Sequence, residues 1–303
     1  MSIPVISVVI PVFNRETEIG NCLKSLLQQD FHDFEAVVVN DCSTDGTATT
    51  VASIGDPRIR LINLPENRGH AAAGNVGILA AASSLICFLD SDDEFLPCKL
   101  SFIHQFFLNH SDVDVLVDSF EFLNQTHHGN KLKLHRNPEL RCSSDIEDAV
   151  YRRRLYKATG AISAKREALI KAGLWDVSLR RRTDMDLILR LAQTSRCMST
   201  STVLWRKHGN SNAISSHRET FIAAVIDIVQ RHPKYTSRFR WRLGLAKDIA
   251  SHMLALLLYP KFGLALNDWK QLVRFFGPLS TTYYLVLGSL MFFFQTLRYG
   301  KPV

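Results

Sequence analysis

The chain has 303 residues, 46% of them apolar and 21% charged, which is enough to bury a real core in one large domain or two and too apolar for a disordered or low-complexity polymer. Its 36 Lys/Arg against 29 Asp/Glu leave a formal +7 that is unevenly placed, because residues from Arg231 onward hold 11 basic and 2 acidic groups and the rest is slightly acidic. That asymmetry excludes a uniformly basic nucleic-acid binder as first reading, and no nucleic acid is expected as a partner.

The opening MSIPVISVVIPVFN has neither a basic flank nor a small-residue cleavage site, and it holds two prolines, so it reads as a first strand and not as a secretion signal. Residues 5–10 form the β-branched core of that strand, which ends at Pro11. Residues 16–28 place Ile19, Leu23, Leu26 and Leu27 at helical spacing. Strands are expected at 34–39 and 58–64, an alanine-rich helix at 71–82, and a strand at 85–89 that runs into Asp90. A helix at 99–108 and a strand at 113–122 complete the alternation, which implies parallel strands with crossover helices and hence an α/β layered fold. Residues 124–137 are polar and read as a surface loop. Helices follow at 146–156, 165–172, 184–194 and 223–230, then apolar stretches at 249–259 and 279–297. The composition changes near residue 216, which sets an α/β domain over 1–216 apart from a basic, apolar helical extension over 217–303. Six widely spaced cysteines without a C-x-x-C pair argue against structural zinc and for a reduced, cytoplasmic setting.

Polar residues crowd the carboxyl ends of the expected strands, the edge where open parallel sheets bind ligands: Asn14, then Asn40 and Asp41, then Asp90 and Asp92. The run Phe88-Leu89-Asp90-Ser91-Asp92-Asp93 has two readings. Its crowded carboxylates take a hard divalent cation that bridges to substrate phosphates, or they form an acidic turn capping the helix that begins near Pro97. The run from Val37 to Thr47 likewise either aims polar groups at a base or ribose or is an ordinary strand-to-helix turn. Neither the phosphate-loop nor the dinucleotide fingerprint is present, which counts against ATPases and NAD enzymes.

Four ordered segments, SVVIPVFN, VVVNDCSTDGT, ENRGHAAAGNVGILAA and FLDSDDEFLPCKL, together resemble the family 2 glycosyltransferases of the GT-A fold over roughly the first 210 residues. The resemblance implies transfer of a sugar, with inversion, from a nucleotide-diphosphate donor such as a UDP-sugar to a saccharide or lipid-linked acceptor, in cell-surface polysaccharide or glycolipid synthesis. It implies a divalent cation, Mn²⁺ or Mg²⁺. By position, Pro11, Phe13 and Asn14 would line the nucleotide pocket and Asp41 would read the base. Asn75 would lie beside the diphosphate, Asp90 and Ser91 near the ribose, and Asp92 with Asp90 on the metal. His208, in the segment Trp205-Arg206-Lys207-His208, would reach the metal or the diphosphate; a surface histidine is the plainer reading. Asp184 matches the acidic position that supplies the catalytic base, with the rival reading that it only caps a helix and that Asp186 faces solvent. Several positions depart from the family pattern: Asn40 replaces an Asp, Cys42 a Gly, Gly74 a frequent Arg, and Thr183 a Glu. These departures leave room for an inactive sugar-nucleotide-binding module, whereas a sugar nucleotidyltransferase would want glycines after the first strand that PVFNRETE does not supply. The arginines Arg180, Arg181 and Arg182 face a phosphate or form a solvated run.

The tail mixes arginines and lysines with Phe239, Trp241, Trp269 and Phe275. Three readings stay open: helices lying on the cytoplasmic face of an anionic membrane, a single span over 279–297, and a packing or homodimer surface.

Overall fold

The computed structural model describes residues 3–126, 129–209, 218–258 and 262–299. The chain forms two compact units, Met1–Glu147 with Leu155–Ser178 and Thr183–Asn210, and Asp148–Arg154 with Leu179–Arg182 and Ser211–Val303. The second unit therefore takes in two short segments far upstream of residue 216, and the expected boundary at 216/217 itself lies outside the described residues.

The first unit is built on a nine-stranded sheet among the described residues. Strands β1 (Ile6–Val12), β2 (Phe34–Asn40), β3 (Ile59–Asn63) and β4 (Leu85–Phe88) are parallel, in the spatial order β3-β2-β1-β4. Every residue of β1 and β4 is buried, as their predominantly apolar character suits in strands covered on both faces, and the one polar side chain, Ser7, donates to Glu35 Oε1 at 2.6 Å. Helix α1 (Ile19–Leu27) crosses from β1 to β2, α2 (Thr47–Ser53) from β2 to β3, and α3 (His70–Ala80) from β3 to β4. Helix α3 lies so close to β1 that a Cβ on Gly77 would collide with Val9, so only glycine fits there.

Beyond β4 the sheet becomes mixed. Strand β8 (Ile162–Lys165) is antiparallel to β4 and to β6 (Val115–Thr126), and β9 (Cys197–His208) runs parallel to β6. The short β5 (Glu94–Phe95) pairs with the end of β9, which brings Arg206 opposite Glu94 directly after the acidic run. Helices α4 (Lys99–Asn109), α5 (Ser143–Tyr151), α6 (Arg166–Lys171) and α7 (Thr183–Thr194) complete the elements that precede the tail.

Two expectations change. Residues 124–137 are not a loop, since β6 extends to Thr126 and pairs with β7 (Gly129–His135) as a hairpin whose tip, 127–128, lies outside the described residues. Burial does not announce this strand, because Leu132 and Leu134 are both exposed; backbone pairing carries it, together with His135 stacked 4.8 Å from Phe120. The expected helix over 146–156 instead ends at Tyr151, and Arg153 then adopts a left-handed backbone with φ 59°.

The second unit is helical: α8 (Phe221–Arg231), α9 (Phe239–Leu258), α10 (Phe262–Phe276) and α11 (Pro278–Tyr299). Helix α10 escapes a search for apolar runs because Asp268 and Lys270 interrupt it, and Asp268 is buried, 2.8 Å from His252 Nε2. Helices α9 and α11 touch at Gly288, where a Cβ would collide with the carbonyl of Ala246. Among the described residues no helix is long and apolar enough to cross a membrane.

A fully buried ion pair ties α4 into the first unit. Lys99 Nζ donates to Asp118 Oδ2 at 2.6 Å and to the carbonyl of Gly160 at 2.8 Å, and it sits 4.7 Å from the Phe95 ring centroid. Burial pushes the Asp118 carboxyl up to about 6 against the opposing charge of Lys99. Removing one partner of a buried pair strands the other charge, at about 3–5 kcal/mol. Lys99→Met should therefore lower stability by about that much in urea unfolding, and adding Asp118→Leu should recover most of it. Equal stability of the wild type and Lys99→Met would show that the pair contributes nothing net.

Candidate active site

The carboxyl ends of β1, β2 and β4 and the start of α3 meet at one edge of the sheet. After β1, Pro11 is buried and Phe13 is 42% exposed, while Asn14 takes a left-handed backbone with φ 49°. Asn14 braces the neighbouring loop: its N–H donates to Ser43 Oγ at 2.9 Å, and its Oδ1 accepts from the Thr44 N–H at 2.8 Å. Asp41 is buried, and its two oxygens accept the backbone N–H groups of Arg68 and Gly69, each at 2.8 Å. Its carboxylate thus fixes the turn that launches α3, where Gly69 needs its positive φ of 86°. Asn40 in turn donates to Asn63 Oδ1 and accepts from the Ser43 N–H.

The acidic run lies just past β4. It is not a helix cap, because α4 begins at Lys99 behind Cys98 with no side-chain cap. Asp90 and Asp92 are each about one-fifth exposed, Ser91 is buried and Asp93 is fully buried. Basic side chains from three other segments face these carboxylates. His70 Nε2, at the start of α3, is 3.1 Å from Asp90 Oδ1. Lys207 Nζ, near the end of β9, is 3.2 Å from Asp93 Oδ2 and 3.8 Å from Asp90 Oδ2. Arg15 Nη2 is 3.9 Å from Asp92 Oδ2. The Asp93 Oδ1 accepts the backbone N–H of His208 at 2.9 Å.

The electrostatics follow from this crowding. Burial pushes the Asp93 carboxyl up to about 8; Lys207 opposes that rise, and the charges of Asp90 and Asp92 reinforce it. Burial would raise Asp90 too, but the His70 hydrogen bond and the Lys207 charge hold it well below the usual carboxylate range. Burial alone would lower His70 and Lys207; the neighbouring carboxylates leave both raised.

Trp175 covers this edge. Asn75 Nδ2 donates to the Trp175 carbonyl and Asn75 Oδ1 accepts the Trp175 N–H, both at 2.9 Å. The indole packs edge-on against Phe88 at 5.4 Å and His70 at 6.4 Å. A Cβ on Gly74 would come 3.3 Å from the Trp175 Cδ1, so the missing side chain at that position makes room for the indole. Asn75 lies in the second turn of α3, with its side chain spent on Trp175; His70, and not Asn75, stands at the helix start.

Asp184 is partly exposed in the first turn of α7, and its Oδ1 accepts the Met185 N–H at 2.7 Å. Asp186 does not face solvent; it is buried and pairs with Arg190 at 2.6 Å. Asp176 Oδ1 accepts from the Ser178 N–H and Oγ. Arg181 and Arg182 are not a solvated run either, since Arg181 donates to Thr220 Oγ1 and Arg182 to Asp248 Oδ2. His208 Nε2 lies 3.2 Å from Glu94 Oε1, so it is Lys207 that reaches Asp90.

The donor set suits a divalent cation. Asp90 and Asp92, each about one-fifth exposed at the sheet edge, offer hard carboxylate oxygens. Among the described residues no three His, Cys, Asp or Glu side chains form a complete cage, so phosphate oxygens of a substrate would have to finish the coordination, as is usual for Mg²⁺.

Residues 7–172 match the sequence model of the family described as Glycosyl transferase family 2. The chain belongs to that family. Over 98 residues it is 44% identical to the succinoglycan biosynthesis protein ExoO of Rhizobium meliloti (strain 1021), covering 32% of this chain and 28% of that protein. Over 100 residues it is 37% identical to the putative colanic acid biosynthesis glycosyl transferase WcaA of Escherichia coli (strain K12), covering 32% and 36%. The matched stretch thus spans about a third of these relatives' length. S. aureus TarS 1-349, solved in complex with UDP-GlcNAc, superposes with a TM-score of 0.68 at 19% identity over 93% of this chain and 84% of that one. The mannosyltransferase PcManGT from Pyrobaculum calidifontis, solved with GDP-Man and Mn²⁺, gives 0.58 at 17% identity over 96% and 87%. The family 2 chain has the GT-A fold, a mostly parallel sheet with covering helices followed by C-terminal helices α9–α11.

Proposed function

We propose that this family 2 chain is an inverting glycosyltransferase that moves a sugar from a nucleotide-diphosphate donor, foremost a UDP-sugar, to a hydroxyl acceptor in cell-surface polysaccharide or glycolipid assembly. The observation that carries this reading is the set of carboxylates Asp90, Asp92 and Asp93 at the sheet edge, compensated by Arg15, His70 and Lys207. A site of alternating charges at the ligand edge of a parallel sheet suits a sugar diphosphate, which brings both anionic oxygens and a sugar to be oriented. The relatives in succinoglycan and colanic acid biosynthesis support the polysaccharide setting.

In this mechanism Pro11, Phe13 and Asn14 border the nucleotide, and Asp41 shapes the pocket by holding the Arg68–Gly69 turn. Asp90 and Asp92 would hold Mn²⁺ or Mg²⁺, and when bound that ion offsets charge on the departing nucleotide diphosphate. Lys207 and His70 keep Asp90 ionised and oriented. Asp184 is the base that takes the proton from the acceptor hydroxyl as it attacks. Its partly exposed carboxylate suits that task, whereas Asp186 is committed to Arg190 and Asp176 to Ser178. The net positive tail, on the same reading, rests on the cytoplasmic face of an anionic membrane, where a lipid-linked acceptor would lie.

Calorimetry with UDP and Mn²⁺ tests the donor half. Asp92→Asn should abolish the metal-dependent part of UDP binding with little loss of folding, and unchanged metal dependence would remove Asp92 from the ion. Asp184→Asn tests the chemistry: donor affinity should hold while transfer drops by about 10²–10⁴, the usual contribution of a general base. An active Asp184→Asn would place the base elsewhere. For the tail, co-sedimentation with phosphatidylserine vesicles should be strong and only partly reversed by high salt, because charge is screened and buried apolar surface is not. Protein that stays in the supernatant at low salt would end the membrane reading.

A further inference from the structure

The last residues of β9 divide between two faces. Side chains alternate along a strand, so Arg206 and His208 point one way and Trp205 and Lys207 the other. Arg206 Nη2 is 2.7 Å from Glu121 Oε1, and His208 Nε2 is 3.2 Å from Glu94 Oε1. Lys207, on the opposite face, brings its ammonium to the acidic run, 6.0 Å from the centroid of the Trp205 ring. Its Nζ donates to Asp93 Oδ2 at 3.2 Å, whereas the 3.8 Å to Asp90 Oδ2 is an ion pair too long for a hydrogen bond. An ammonium has three donors, and among the described residues Asp93 is the hydrogen-bond acceptor for Lys207. The Lys207 side chain is 31% exposed; that of Asp93 is fully buried and is held from its other oxygen by the His208 N–H. A buried carboxylate thus anchors a half-open ammonium that has donors to spare at the ligand edge of the sheet. All of these groups belong to the first unit.

We propose that Lys207 contacts the diphosphate of the donor, held in place by Asp93, and that it gives the site a share of diphosphate affinity that needs no metal ion. The argument turns on exposure. A lysine that only neutralises a buried carboxylate is best buried with it, as Lys99 is with Asp118 in the same unit. Lys207 instead stays open to solvent beside Asp90, on a flexible stem that lets its ammonium serve a second anion without leaving the first. Phosphate oxygens suit that ammonium, because charge-assisted hydrogen bonds are the strong ones and lysine binds phosphate as a point charge. His208 is turned to Glu94, and its contribution on this side is the backbone N–H that fixes Asp93. Asp93 is therefore a positioning residue, acting through Lys207. The proposal rests on the reading of this sheet edge as the donor site.

The test uses full-length protein in EDTA, with UDP, inorganic pyrophosphate and uridine as probes. Lys207→Gln removes the charge and can still donate to Asp93. Lys207→Met combined with Asp93→Asn removes both formal charges together and keeps an oxygen for the His208 N–H, so no buried charge is stranded. Calorimetry should show UDP and pyrophosphate binding to the wild type without metal. Both should weaken about 10–100-fold in the single and the double variant, the worth of a hydrogen bond to a charged group. Uridine, followed by ligand-observed NMR, carries no phosphate and should bind all three proteins alike. Wild-type protein that binds no pyrophosphate in EDTA overturns the proposal, and so do variants that bind pyrophosphate as the wild type does. A loss as large for uridine as for UDP overturns it too, since Lys207 would then only support the pocket. The donor reading fails separately: Lys207-dependent pyrophosphate binding with no preference for UDP keeps the phosphate contact and removes the nucleotide. Tight UDP binding in Mn²⁺ and in EDTA that is indifferent to Lys207 keeps the donor reading and ends this proposal.

Discussion

Three carboxylates in four consecutive residues, set at the end of a fully buried strand, are the constraint around which the first unit is arranged. Two unit charges about 4 Å apart interact by about 4 kcal/mol at an effective dielectric of 20. Asp90, Asp92 and Asp93 therefore cannot share that edge without compensation. The answering charges come from places distant in the chain: Arg15 after β1, His70 at the start of α3 and Lys207 near the end of β9. The charges are matched only where β1, β4, β9 and α3 come together, so the site depends on the assembled sheet edge and not on any one segment. Asp93 serves this closure from below, since its buried carboxylate takes both the Lys207 ammonium and the His208 N–H.

Much of this architecture can be read from the amino-acid order. The mostly apolar, β-branched runs of β1, β2 and β4 declare strands buried on both faces, and polar groups cluster at their carboxyl ends because ligand edges require it. The legible part is local. Lys207 sits beside His208 in a segment that stands out in the sequence, yet nothing local says that β9 folds back against β5 and delivers an ammonium to Asp93. His70 is hidden in the same way, as one residue in an alanine-rich run whose partner is 20 residues on. The β6–β7 hairpin is illegible for a different reason, because an edge pairing with exposed leucines leaves no burial pattern to read. Likewise α10 carries a buried Asp268 whose cost His252 of α9 offsets, and that compensation belongs to the tertiary structure.

The departure at Gly74 shows how such long-range terms trade against one another. Family resemblance puts an arginine there in many members, and its loss looks at first like a missing phosphate contact. The space is filled by Trp175, whose indole lies 3.3 Å from where a Cβ on Gly74 would be and whose backbone is locked in both directions by Asn75. An arginine at residue 74 would meet that indole, which also packs against His70 and Phe88. The side chain removed from α3 thus permits an aromatic cover over the histidine that pairs with Asp90. Positive charge at this edge is supplied by His70 and Lys207 instead, each placed by its own element against the carboxylates. A guanidinium reaching out from the helix would be a mobile donor, whereas an imidazole held between an indole and a carboxylate is fixed before any ligand arrives. Preorganisation of that kind lowers the ordering cost of binding, and the small residue at position 74 leaves the indole of Trp175 the room to provide it.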